Sequence, residues 1–220
     1  MAKLTKQNTV ILFDCGHGYD TKGKMSPILD KLMKIWYEFV DNNRFKEWKY
    51  TRVIGKDLVA MFTANGYDAR LVVTEDRDIS LKERVNRVNK VCKEVGAGNV
   101  ILISIHANAV GNATAWMNGQ GWEAYTTPGV TKSDKLAECL YKRAEQNFKG
   151  RKIRKDLSDG DSDKEANFYI IKYSNCPAVL TENFFYDNKD DLTYMTSDVG
   201  HHAVLRTHYE GIIDYMNQSN

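Results

Sequence analysis

No long apolar run occurs anywhere in the 220 residues, so no segment reads as a membrane span. The N-terminal MAKLTKQNTV has neither an apolar core nor a small-residue cleavage site, which predicts synthesis in the cytoplasm without a signal peptide and without membrane insertion. A charge excess is missing too: 31 Lys and Arg face 29 Asp and Glu, and a formal charge of +2 does not make nucleic acid the expected partner. Cysteine is sparse and scattered. Cys15, Cys92, Cys139 and Cys176 form no C-x-x-C pair, so free thiols are expected. There is no Pro- or Ser-rich linker, no repeat and no low-complexity tract, and 42% hydrophobic residues suffice for one core, so residues 1–220 read as a single domain.

What is present is an alternation of strand and helix signals. NTVILFD, YDARLVVT, NVILISIHAN, GWEAYTT, NFYIIKY and PAVLTENFF read as strands. EWKYTRVIGKDLVAMFTANG, LKERVNRVNKVCKEVG, KSDKLAECLYKRAEQNF and DVGHHAVLRTHYEGIIDYM read as helices, the first stopped by Asn65-Gly66 and the second opened by a Ser80…Glu83 capping box. The expected fold class is α/β: a single domain with a twisted, mainly parallel (mixed) sheet and helices on both faces. Residues 19–46 break the rhythm. Ile28, Leu32, Ile35 or Trp36, and Phe39 fall at helical spacing, so a short amphipathic helix is expected there, either as added core or as one wall of a cleft.

The sequence FDCGHG delivers His17 into a glycine-framed turn at the end of the first strand, and His106 ends the strand VILISI. Both therefore belong to the carboxyl edge where open α/β sheets place ligands. Each alone reads more readily as a hydrogen-bonded structural residue than as a ligand. Glu47 heads the apolar stripe Tyr50, Ile54, Leu58, Met61, which puts a carboxylate on a buried helix face, beyond what a helix dipole requires. One Zn²⁺ ion accounts for all three, since two imidazoles and a carboxylate with an open fourth position are the donor set of a catalytic zinc. Glu182 in PAVLTENFF is an ionisable group in an apolar strand, raised by burial and suited to general acid/base work, or else salt-bridged under a loop. The basic KGRKIRK at 149–155 and the acidic run Asp159, Asp161, Asp163, Glu165 both read as solvated surface; the latter lacks the glycine and spacing of a calcium loop.

ILFDCGHGYD, the EWKYTR helix, VILISIHANA, GWEAYT and CPAVLTENFFYDNKDDL, in that order over nearly the whole chain, resemble the blocks of the zinc-dependent N-acetylmuramoyl-L-alanine amidases of the amidase-3 family. GKMSP and the stretch from IRKDLSDG to TENFF are similar to a branch found in Bacteroides-type bacteria and their phages. The resemblance implies a mixed sheet of the phosphorylase/hydrolase-like kind, zinc on His17, Glu47 and His106, and Glu182 as catalytic acid/base. It also implies peptidoglycan as substrate, cut at the amide joining the lactyl group of N-acetylmuramic acid to L-alanine of the stem peptide. Asn108 and Asn183 are candidates to orient stem-peptide or sugar groups, or are turn and capping residues. The stretch between His17 and Glu47 is longer than in many members, which makes Glu38 a rival ligand. Cys15 stands where the family usually has a small residue, and a buried hydrophobe is the favoured reading.

A substrate outside the membrane and a chain without a leader are reconciled by a phage endolysin, made in the host cytoplasm and acting on the cell wall after release. A bacterial wall-remodelling amidase is the alternative. Rivals from other classes are a cysteine peptidase using Cys15 or Cys176 and a non-catalytic wall-binding module. No separate wall-binding region and no obligate protein partner are expected.

Overall fold

The computed structural model describes residues 3–158 and 160–218. A six-stranded mixed sheet runs in the order β4 (Asp68–Leu71), β1 (Val10–Cys15), β5 (Val100–Asn108), β8 (Ala178–Phe185), β6 (Glu123–Thr126) and β7 (Lys164–Glu165). The first four are parallel, β6 runs antiparallel to β8, and β7 is parallel to β6. This is the expected α/β class. The two-residue period of a strand splits each apolar run between two cores. Ile11, Phe13, Ile101, Ile103 and Ile105 pack with α1 (Glu47–Ala64), α3 (Lys132–Asn147) and α6 (Asp198–Gln218) on one face. Val10, Leu12, Val100 and Leu102 pack with α2 (Leu81–Val95) and α4 (Tyr169–Tyr173) on the other. Central strands covered on both sides must be apolar throughout, and β1 is buried at every residue.

Helix ends follow their local chemistry. The Ser80 side chain accepts from the Glu83 N–H at 3.3 Å to open α2. At the end of α1, Gly66 (φ +80°) donates to Thr63 O and Tyr67 N donates to Phe62 O, the paired bonds that need a left-handed glycine. The buried stripe of α1 runs Tyr50, Ile54, Leu58 and Phe62, with Phe62 rather than Met61 at its end.

Two expectations are corrected. NFYIIKY is not a strand: Tyr169–Tyr173 is the helix α4. Ile170 and Ile171 are neighbours yet both bury in the core of α2, which a strand with alternating faces cannot do. Residues 19–46 hold no amphipathic helix. A single 3-10 turn, Tyr37–Phe39, leads into the hairpin β2 (Val40–Asp41) and β3 (Arg44–Phe45). Asn42 and Asn43 both take positive φ (51° and 55°) in its two-residue loop, a turn that matches the strand twist. Leu32 and Ile28, expected to be inward, are 94% and 61% exposed, while Phe39 and Leu29 are buried. One further helix, α5 (Lys189–Met195), was not expected; the Asn188 side chain caps it by accepting from Asp190 and Asp191 N–H.

Candidate metal centre and active site

The turn after β1 is built around close approaches. A Cβ on Gly16 would lie 2.3 Å from the His106 ring, and one on Gly18 would lie 2.0 Å from Asp78 N, so the glycines flanking His17 leave room for the ring of a second histidine and for a neighbouring backbone. His17 itself is held at φ 62°, a costly conformation for a non-glycine residue. Two arginines hold it there. Arg52 donates to the carbonyls of Cys15 (2.8 Å), His17 (2.8 Å) and Glu75; Arg84 donates to Cys15 O (2.6 Å) and pairs with Asp14 (2.7 Å) and Asp78 (2.9 Å). Sequence reasoning missed both, because a fixed arginine in a helix looks like a surface residue until its carbonyl partners are known.

Glu47 opens α1 fully buried. Its Oε1 accepts from Ala107 N–H at 3.1 Å and lies 3.2 Å from His106 Nδ1, while Oε2 lies 3.4 Å from His17 Nε2. The two imidazoles meet edge to face with centroids 5.0 Å apart. One donor atom from each of His17, Glu47 and His106 falls within 4.8 Å of the others. The rival Glu38 is exposed in the 3-10 turn and outside this group. Burial pushes the His17 imidazole down to about 4, which keeps it neutral. Burial would raise Glu47, but its contact with His106 and the charge of His17 outweigh this and hold the carboxyl below its ordinary range. For His106 burial opposes charge, and the bond to Glu47 and the charge of Glu182 reverse it, leaving the ring raised. His17 Nε2 and Glu47 Oε2 are buried with no hydrogen-bond partner. Orphaned donor atoms of this kind, converging from a neutral imidazole and a carboxylate, fit a zinc ion.

Glu182 on β8 is register-paired with His106 on β5 and with Glu123 on β6. Paired positions share a face, so the Glu182 carboxyl stands beside the histidine. Its Oε2 is buried and unpartnered, and burial pushes the group up to about 8 against the charge of His106. The strand is irregular just beyond: register shifts between His106 and Asn108, and Phe184 takes φ 70°, as bulges at sites often do. His17, His106 and Glu182 line one cavity of about 440 Å³, walled by Ile79, Leu81, Phe168 and Ile170. A larger open groove of about 580 Å³ between α3, α5 and α6 contains none of these residues.

Asn183 and Asn108 are both tied into the framework of the site, Asn183 buried and Asn108 half-buried. Asn183 is fully buried; its amide donates to His106 O and Thr181 and accepts from Trp122 Nε1–H. Asn108 donates to Glu123 at 2.7 Å and accepts from Ala109 N–H. Both amides belong to the frame. Glu123, which sequence reasoning passed over, is 2% exposed and receives Arg154 (2.6 Å), Lys164 (2.6 Å) and the Tyr125 hydroxyl (2.8 Å). Arg154 therefore corrects the reading of 149–155 as solvated surface throughout. Asp163, read as surface, is buried and accepts from Thr126; Asp159 lies outside the described residues. Cys15 is a buried packing residue whose thiol burial pushes up to about 12, and Cys176 is raised by Cys92 and by burial; neither environment favours the thiolate a peptidase needs.

A doubly covered α/β sheet with a His, Glu, His donor group that could hold a metal ion, and a raised carboxyl beside it at the carboxyl edge, defines a candidate hydrolytic site. The chain belongs to the N-acetylmuramoyl-L-alanine amidase family, which matches residues 11–214. It is 25% identical over 217 residues to the endolysin of Bacillus phage SPP1, covering 94% of this chain and 66% of that protein. It is 28% identical over 205 residues to the amidase LytC of Bacillus subtilis, covering 93% of this chain and 35% of that protein. The chain thus spans about two thirds of the phage relative and about a third of the bacterial one. In fold it is similar to an N-acetylmuramoyl-L-alanine amidase of Clostridium difficile 630 (TM-score 0.74, 24% identity, 96% of this chain and 98% of that one). It is also similar to the CwlD amidase of Clostridioides difficile, solved in complex with the GerS lipoprotein (TM-score 0.71, 18% identity, 96% and 100%).

Proposed function

We propose that this chain is a zinc-dependent N-acetylmuramoyl-L-alanine amidase that hydrolyses the amide between the lactyl group of N-acetylmuramic acid and L-alanine of the stem peptide. The observation that carries it is the pairing of a convergent, orphaned His17, Glu47, His106 donor group with a raised Glu182 one strand away. Zinc held by His17, Glu47 and His106 would supply Lewis acidity toward the scissile carbonyl and toward water. The chain supplies the rest. His17 arrives neutral because burial disfavours its cation, and Glu47 arrives ionised because two imidazoles face it. Glu182 takes a proton from the attacking water and passes it to the leaving alanine nitrogen; a carboxyl raised toward neutrality can do both. Glu123, fixed by Arg154 and Lys164 at the paired position of β6, adds negative charge beside Glu182 and so helps keep it raised.

Zinc titration into chelated protein tests the centre. One zinc per chain is expected, with sacculus clearing restored in proportion; His17→Ala or Glu47→Ala should abolish binding. Clearing by fully chelated protein would contradict the reading. For the biological role we read an endolysin, supported by the phage relative spanning 94% of this chain. No helix among the described residues is long and apolar enough to cross a membrane. Cells holding the protein in the cytoplasm should stay intact until the membrane is permeabilised and lyse then, whereas a wall-remodelling enzyme requires export to act.

A further inference from the structure

Lys24 is a cation of the active-site cavity that the mechanism above does not use. The cavity holds a second one, Arg84, but that guanidinium is 2% exposed and taken up by Asp14, Asp78 and backbone carbonyls. Of the cavity carboxylates, Asp14 also accepts from Ser104 (2.8 Å) and Asp78 from Thr21 (2.8 Å), which leaves Glu182, the acid/base of the mechanism above, as the uncommitted one. Lys24 is exposed and makes no ion pair among the described residues. Its position is nevertheless fixed. Lys24 O accepts from Glu47 N–H at 3.1 Å, and the next residue, Met25, bridges to Lys46. The backbone of Lys24 is thus tied to the turn of helix that presents a metal ligand. Its ammonium is near enough that, behind burial and closer partners, its charge acts on His17, Glu47 and Glu182 alike.

We infer that Lys24 is a specificity-determining residue that binds the free α-carboxylate of the second stem-peptide residue, so that the chain prefers stems in which this carboxylate is not amidated. The inference rests on the amidase reading above. With the scissile amide at His17, His106 and Glu182, the sugar side carries no anion close by, because the lactyl carboxyl is itself the amide. On the peptide side the first anion is the α-carboxylate of the γ-linked D-glutamate that follows L-alanine. Ile79, Leu81, Phe168, Ile170 and Leu180 offer it no partner and suit the alanyl and lactyl methyl groups, while the hydroxyl-bearing Thr21, Ser80 and Tyr169 carry no charge, which leaves Lys24 as the uncommitted cation of the wall. A charge-assisted contact of this kind discriminates acid from amide by about tenfold or more.

The test compares two synthetic substrates, N-acetylmuramoyl-L-alanyl-D-glutamate and its D-isoglutamine counterpart, in the zinc-loaded full chain. The acid should be preferred about tenfold in kcat/KM, through KM; Lys24→Met should remove the preference, so that acid and amide are then cleaved alike, and Lys24→Arg should retain it. Binding of both compounds to the Glu182→Gln protein, with and without Lys24→Met, gives the same comparison without turnover. A Lys24-dependent binding preference with no cleavage by the unmodified chain would overturn the amidase reading and leave the carboxylate site standing. Equal treatment of acid and amide by the unmodified chain, or equal losses on both with Lys24→Met, would overturn the proposal for Lys24.

Discussion

Gly16 shows how much a single residue decides. Its missing Cβ is what lets the His106 ring stand against the turn that carries His17. Gly16→Ala should therefore cut zinc affinity by at least tenfold, read by competition with a chromophoric chelator, while Gly23→Ala, where no atom lies within 4 Å, leaves affinity unchanged despite its strained φ. Glu182→Gln should lower turnover by about 10²- to 10⁴-fold with zinc binding retained, the range for removing a general acid/base. Loss of zinc together with activity would instead make Glu182 a ligand. At this scale His17, Glu47, His106 and Glu182 were legible because each breaks a local rule: a bulky ring between glycines, or a charge on an apolar face. Asn183 and Asn108 were not, because an amide's role depends on partners such as Trp122 and Glu123 that are distant in sequence.

Among the elements, the long ones followed their periodicity. β5, α1 and α3 match the expected segments closely because nine to eighteen residues of pattern outvote local ambiguity. The short ones did not: five apolar residues fit α4 as well as a strand, and the hairpin β2–β3 was masked by apolar residues that happen to fall at helical spacing. β6 and β7 matter more than their length suggests, since they clamp Glu123 between Arg154 and Lys164 beside Glu182. Arg154→Met removes one of the two cations from a carboxylate that is 2% exposed. Because Arg154 is itself about a third exposed, the expected loss is about 1–3 kcal/mol, below that of a fully buried pair, and a fall in urea midpoint checks it. Lys149→Met, nearby in the same basic run, should leave the midpoint in place.

For the molecule as a whole, an acid sensitivity is expected from a source away from the candidate metal centre. His208 on α6 is fully buried, with Nδ1 2.8 Å from Val204 O and Nε2 2.9 Å from the Thr181 hydroxyl. Burial pushes its imidazole down to about 4. A depressed histidine contributes stability that is present above its ordinary titration range and lost as pH falls through the folded value. Asp163, pushed up to about 7 by burial and the charge of Asp161, acts in the opposite sense, losing stability as pH rises through 7. The difference between the natural chain and His208→Gln isolates the first effect: the natural chain should lose roughly 2–3 kcal/mol more than the variant between pH 7 and pH 4. Parallel stability curves for the two proteins would contradict it. The overall architecture was legible in advance because alternating strands and helices leave few topologies; the antiparallel turn of β6 was not, since nothing local distinguishes a crossover from a return.

The measurement that bears most directly on the central claim is digestion of purified sacculi by the zinc-loaded protein, by the chelated protein and by Glu182→Gln, with the new chain ends identified by mass spectrometry. Freed L-alanine amino groups on an intact glycan, lost in both controls, are the predicted result. New reducing ends, cuts within the stem peptide, or cleavage that survives chelation would contradict it.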